Sequence, residues 1–197
     1  MKKIFLFFTV LLIVFLSGKD LYANYSTPGS SVSWSLNDLV SNSGGVVTFS
    51  SGTFFVNDTL TVSSSDTLKI LTNATVKLAL NVVFLVNGAL IVNPADSVKF
   101  TAIDTTQKFY ELRLDGASNA SMFNKFIFEY SFNGLRLLNV SPNFTNCTFR
   151  YNCNGATLTT PALNLFNSNA VVTNCLFYRN YRAAIAGGSN IANAPQI

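Results

Sequence analysis

TNCTFRYN at 145–152 and TNCLFYRN at 173–180 decide how this chain reads. Thr, Asn, Cys, Phe and the closing Asn recur at the same offsets. A wider window adds a third copy: FNKFIFEYSFNGL starts at Phe123, FTNCTFRYNCNGA at Phe144 and VTNCLFYRNYRAA at Val172. Phe126, Cys147 and Cys175 then share one column. Phe128, Phe149 and Phe177 share a second, and Phe132, Cys153 and Tyr181 a third. Within each copy the alternation has period two, the period of a strand. The copies are unevenly spaced because GATLTTP at 155–161 is an insertion. Beyond it ALNLFNSNAVV matches GLRLLNVSPNF position for position.

Short strands repeated in this way predict a solenoid in which each repeat is one coil. Equivalent residues stack about 4.8 Å apart in such an array. Phe128, Phe149 and Phe177 are therefore expected to form an internal column, each ring worth about 1.5–3 kcal/mol when buried. Asn146 and Asn174 lie between two inward-facing neighbours, so the chain must bend there. Asn tolerates the left-handed conformation that such a bend needs, and stacked amides bond along the column. Lys125 takes that place in the first copy, so the ladder is expected to begin at Asn146.

Upstream, MKKIFLFFTVLLIVFLSG has Lys2 and Lys3 before an uncharged stretch from Ile4 to Gly18. That fits a secretory leader better than a bilayer span. We place the leader at 1–23, ending at Ala23, with an uncleaved N-terminal anchor as the other reading. Losing three Lys and one Asp with the leader lowers the formal net charge from +4 to +2. Nucleic-acid binding gains no support from that balance. The absence of His removes the commonest general base and metal ligand.

SWSLNDLVSNS reads as a short amphipathic helix, with Ser35 and Asp38 spaced as a capping box. It would cover the open end of the first coil. GGVVTFSSGTFFVNDTLTV at 44–62 reads as the opening coil. Strand-like runs follow at 68–71, 74–80, 82–92 and 97–103, and FYELRLDGAS at 109–118 bridges the two halves. The expected class is all-β: a right-handed parallel β-helix over 44–197 with a short N-terminal cap at 24–43.

These segments resemble a known group. GGVVTFSSGTFFVNDTLTV resembles the opening coil of secreted right-handed parallel β-helix proteins, the pectin-lyase-like superfamily. The F-x-x-N motifs, Phe149 to Asn152 and Phe177 to Asn180, resemble the repeats of the polymorphic outer membrane protein group. The resemblance implies activities ranging from polysaccharide lyase and glycoside hydrolase to adhesin. Its lyases use a basic residue and often a calcium ion held by carboxylates, and its hydrolases use two or three Asp. Here no carboxylate beyond the leader, from Asp38 to Glu129, adjoins another in sequence. No catalytic residue, cofactor or metal site is expected.

The candidate binding residues lie on the outer face. Glu129, Arg150 and Tyr178 share an outward column, with Tyr130, Tyr151 and Arg179 beside them. Rings stack on sugar faces, while Arg and Glu bond hydroxyls. The other reading is a solvated face whose surface ion pair is worth about 0–1 kcal/mol. Arg113 and Asp115 form a second candidate, or a strand-end surface pair. Cys147 and Cys175 are expected as small buried hydrophobes, since parallel in-register side chains strain a disulfide.

The expected function is an exported cell-surface or extracellular module with a structural, adhesive or glycan-binding role. Its partners would be a polysaccharide or cell-surface glycan, with no nucleic acid and no membrane span in the mature chain. The alternative is the N-terminal part of a lyase or hydrolase whose catalytic coils lie beyond residue 197. NAPQI at 193–197 matches the approach to each TNC bend, so further coils of the same polypeptide are expected.

Overall fold

The computed structural model describes residues 24–117, 120–153, 160–187 and 195–197. The expected leader at 1–23 and most of the insertion at 155–161 lie outside them. Along the chain, β1 (Tyr25–Ser26) enters a first sheet and β2 (Ser33–Trp34) a second. Helix α1 (Leu36–Asn42) follows, then β3 (Val47–Ser50) and β4 (Thr53–Val56) in a third sheet. From there each coil visits the three sheets in turn. The next two coils are β5 (Leu60–Val62), β6 (Thr67–Ile70) and β7 (Ala74–Leu78), then β8 (Val83–Val86), β9 (Ala89–Val92) and β10 (Val98–Ala102). They lead to β11 (Glu111–Asp115), β12 (Met122–Asn124) and β13 (Phe126–Glu129), then β14 (Leu135–Leu138), β15 (Asn143–Thr145) and β16 (Thr148–Arg150). A further coil holds β17 (Leu163–Phe166), β18 (Val171–Thr173) and β19 (Leu176–Tyr178), and β20 (Ile185–Gly187) returns to the first sheet.

Every pairing between coils is parallel and in register, which makes the fold a parallel β-solenoid. In the third sheet Phe100 pairs with Phe128, Phe128 with Phe149, and Phe149 with Phe177. Phe128 and Phe149 are fully buried with ring centroids 6.1 Å apart, and Phe149 and Phe177 stack at 4.7 Å and 4°. The predicted internal column is therefore present. One apolar core runs from Trp34 to Val172 through the tube.

The corners show why particular residues sit there. Asn146 and Asn174 have φ of 55° and 52°, while Phe144 and Cys147 on either side of Asn146 are buried. Their amides do form a ladder, but it begins earlier than the repeat suggests. Asn174 Nδ2 donates to Asn146 Oδ1 at 2.5 Å, Asn146 to Asn124 at 3.1 Å, and Asn124 to Asn93 at 2.9 Å. Lys125 takes the left-handed bend itself, at φ 52°. Asn124, one residue earlier, supplies the amide that Lys125 cannot. At another corner a Cβ on Gly88 would fall on the carbonyl oxygens of Asp66 and Ser63, so only glycine fits.

Three stretches fold differently from their reading. The run at 82–92 is two strands in two sheets, turning at Asn87–Gly88 where the close approach forces the corner. FYELRLDGAS contains β11, an ordinary rung paired with β8 and β14, and is no bridge between halves. The opening coil doubles back: β3 runs antiparallel to β4 through Ser51 and Gly52, both at positive φ, as a tight hairpin demands.

That hairpin and α1 occupy the N-terminal end. The Ser35 hydroxyl accepts from the Asp38 amide, and Asp38 accepts from the Ser35 amide, completing the capping box. The helix buries Leu36 and Leu39. Among the described residues, no helix is long and apolar enough to cross a membrane. At the other end Gln196 pairs with Val171, which sets Ile197 in the column of Phe144 and Val172, as NAPQI implied.

Candidate functional site

The third sheet brings all six predicted binding residues to one outer edge. Glu129 pairs in register with Arg150, and Arg150 with Tyr178. Arg150 Nε donates to Glu129 Oε2 at 2.5 Å, and its NH1 donates to the Tyr178 hydroxyl at 2.8 Å. The next residue of each coil extends the array. Tyr130 and Tyr151 stack at 5.1 Å and 12°, and Arg179 NH1 donates to the Tyr151 hydroxyl at 3.0 Å. Arg150 and Arg179 each lie within 6 Å of the Tyr151 ring centroid, close enough for cation–π attraction.

One expectation about this edge needs correcting. Glu129 faces outward but is only 5% exposed, and it binds the Arg150 guanidinium. The pair is not an ordinary surface ion pair. Removing one partner would leave a largely covered charge, which costs more than breaking an exposed pair. The Tyr178 bond raises the Arg150 pKa further, against the desolvation of burial, with Glu129 adding to the rise. Burial and the Glu129 carboxylate push the Tyr130 phenol upward.

Tyr130, Tyr151 and Arg179 share one further property: all three are left-handed, at φ of 58°, 56° and 52°. At the bends made by Asn139, Asn146, Asn167 and Asn174 the same conformation falls on a residue that tolerates it. A bulky side chain there costs about 1–2 kcal/mol. Ring stacking returns about 0.5–1.5 kcal/mol. The strain is thus held at the place where aromatic and guanidinium groups emerge from the tube.

The F-x-x-N motifs serve the interior behind this edge. Asn152 is fully buried. Its Oδ1 accepts from the Ser131 amide at 3.1 Å, and its Nδ2 donates to the Phe128 carbonyl at 3.0 Å. Asn180 repeats the pattern one coil later, accepting from the Asn152 amide and donating to the Phe149 carbonyl. Each Asn thereby satisfies buried backbone groups where the third sheet ends.

The second candidate is rearranged. Arg113 pairs with Glu111 rather than with Asp115, Nε to Oε1 at 3.0 Å. Arg136, one rung on, reaches Glu111 Oε2 at 3.4 Å, and Asn133 donates to the same oxygen at 2.6 Å. Glu111 has no exposed surface. The sequence reading missed this carboxylate because it treated 109–118 as a bridge. Aligned as a rung, the segment would have set Arg113 beside Arg136 and drawn attention to the acid two residues earlier.

The cysteines are free thiols. Cys147 is buried and Cys175 half-buried, and the Cys175 sulfur accepts from the Cys147 amide at 3.4 Å. The bond between the two thiols pushes Cys147 up and holds Cys175 down at about 7. Among the described residues, no group of three or more His, Cys, Asp or Glu side chains gathers to hold a metal ion.

No protein-family model matches this chain, and no curated protein or solved structure does either, so the geometry alone carries the functional reading.

Proposed function

We propose that this chain is an exported structural or adhesive module that presents the Tyr–Arg edge of its third sheet to a polysaccharide or cell-surface glycan. We further infer that it belongs with the secreted right-handed β-helix proteins of the pectin-lyase-like superfamily, its later coils with the polymorphic outer membrane protein repeats. The leader supports export, since two lysines precede an uncharged stretch too short to span a bilayer.

The observation that carries the binding role is the run of left-handed Tyr130, Tyr151 and Arg179. Asn or Gly would turn the chain there at lower cost. Strained bulky residues at one edge point to use of their exposed groups. The Tyr130 and Tyr151 faces cover each other, so the phenol groups and the flanking guanidinium groups are what the edge offers to sugar hydroxyls.

A glycan array probed with the purified protein tests this reading. Selective retention of a polysaccharide, lost by at least tenfold in Tyr130→Gly/Tyr151→Gly, is the expected result. Glycine suits the left-handed backbone, so this variant removes the rings without adding strain. Absence of retention, or retention indifferent to both rings, would refute the glycan role.

A further inference from the structure

The third column of the repeat, Phe132, Cys153 and Tyr181, lies away from the Tyr–Arg ladder and gains a member in the structure. Phe109 pairs in parallel with Ser131, which sets Tyr110 beside Phe132. Their rings stack at 6.1 Å and 19°. Together with Leu80, Lys108 and Tyr181 they line an open cavity of about 440 Å³, between the third sheet and the return to the first. That size falls in the range of small-molecule sites. Tyr110 and Tyr181 are exposed at 37% and 68%, so the aromatic wall is accessible.

Lys108 supplies the polar end. Its ammonium donates to the Cys153 carbonyl at 2.5 Å. The ion pairs among the described residues all use Arg113, Arg136 or Arg150, and none engages Lys108. Burial lowers the Lys108 pKa, which marks an ammonium stripped of part of its water. The two nearest acids along the chain are engaged elsewhere. Glu111 is buried against Arg113, Arg136 and Asn133, and Asp104 is turned to its own loop, where it accepts from the Thr106 amide and hydroxyl. A partly desolvated cation held by one carbonyl dipole favours an anion. The adjoining rings favour a flat, apolar body.

We propose that this groove binds a ring-borne carboxylate, its anionic group on Lys108 and its ring against Tyr110 and Phe132. A sugar acid and an aromatic acid share that chemistry. The site is separate from the Tyr–Arg edge, so either can fail alone.

The test is an NMR titration of the isotopically labelled full chain with sodium benzoate, sodium glucuronate and, as a neutral control, glucose. Saturable shifts at Lys108, Tyr110 and Phe132 with one or both acids, and none with glucose, support the site, and the responding acid identifies the source. Binding should weaken as salt rises. It should fall at least tenfold in Lys108→Met, and Lys108→Arg should retain it. If Lys108→Met fails to fold, the salt series and Tyr110→Leu decide the matter on folded protein. Equal response to glucose, affinity independent of salt and of Lys108, or no saturable shift at millimolar acid would overturn the proposal.

Discussion

The two ends of the solenoid are stabilised by different means. From Tyr25 to Ala102, each stabilising device occurs once. There is one helix with its capping box, one antiparallel hairpin on the sheet edge, and one carboxylate latch. In that latch buried Asp66 accepts from the Gly29 and Val32 amides at 2.8 and 3.0 Å, tying the first strands to the next coil. From Met122 onward the devices repeat: the Phe column, the amide ladder of Asn124, Asn146 and Asn174 that reaches back to Asn93, the buried Asn152 and Asn180, and the outer Tyr–Arg edge. A repeat becomes visible in sequence only where like side chains bond to like across a rung. Where coils are held by plain aliphatic packing, as from Val86 to Val98, any apolar residue serves and the repeat fades.

The contrast can be broken most severely inside the Phe column. Phe149→Ala removes a fully buried ring that touches Phe128, Phe144 and Phe177. We expect a loss of about 3–5 kcal/mol in denaturant unfolding. Because each coil contacts mainly its neighbours, hydrogen exchange should report the loss first from β13 onward. A uniform loss over the whole chain would mean that the halves are one cooperative unit.

The latch comes next in size. Asp66→Ala leaves the Gly29 and Val32 amides without their acceptor, each worth about 1–3 kcal/mol. Lost exchange protection between Thr27 and Trp34, with the Phe column unaffected, is the expected pattern. The same segment should be acid-sensitive. Burial alone would raise the Asp66 pKa, but the Thr27 hydroxyl and the Val32 and Gly29 amides outweigh it and leave the carboxyl below its ordinary value. A depressed folded-state pKa gives stability that is full above the unfolded value, about 3.9. It is lost as pH falls through the lower folded value. Protection at Gly29 and Val32 should therefore decline below about pH 4, ahead of the distal coils.

The two asparagine classes sharpen the comparison. Asn152→Ala strands the Ser131 amide and the Phe128 carbonyl in the interior, at about 1–3 kcal/mol apiece. Asn146→Gly keeps the left-handed bend and loses only two exposed amide contacts, to Asn124 and Asn174, so its cost should stay near 1 kcal/mol or below. Equal midpoints for these two variants in thermal melts would contradict the division into buried and exposed ladders. Smallest of all should be Tyr151→Gly, where relief of about 1–2 kcal/mol of backbone strain offsets lost stacking of about 0.5–1.5 kcal/mol. A melting point within a few degrees of the parent is the expected outcome, which is what makes the variant a clean probe of binding.

Legibility in sequence followed the same division. The Phe column, the bends at Asn146 and Asn174, the capping box, and the grouping of Glu129, Arg150 and Tyr178 could all be read from offsets. Each depends on a period or a spacing within one segment. The run at 82–92 hid a corner, because an apolar residue on either side of Asn87–Gly88 faces the core and interrupts no pattern. Asn124 was passed over because it stands one position off the repeat, and only the fold shows that its side chain reaches the same ladder.

The order of residues along the chain thus determined which side chains face inward and which positions share a column, because strand alternation and repeat length are properties of the chain itself. How deeply an outward group is covered was decided only in three dimensions. Glu129 and Glu111 look like surface acids in the sequence, yet neighbouring rungs and their arginines enclose them. The cavity beside Lys108 has the same origin. It collects residues from five successive turns, from Leu80 to Tyr181, and such proximity exists only once the turns are stacked.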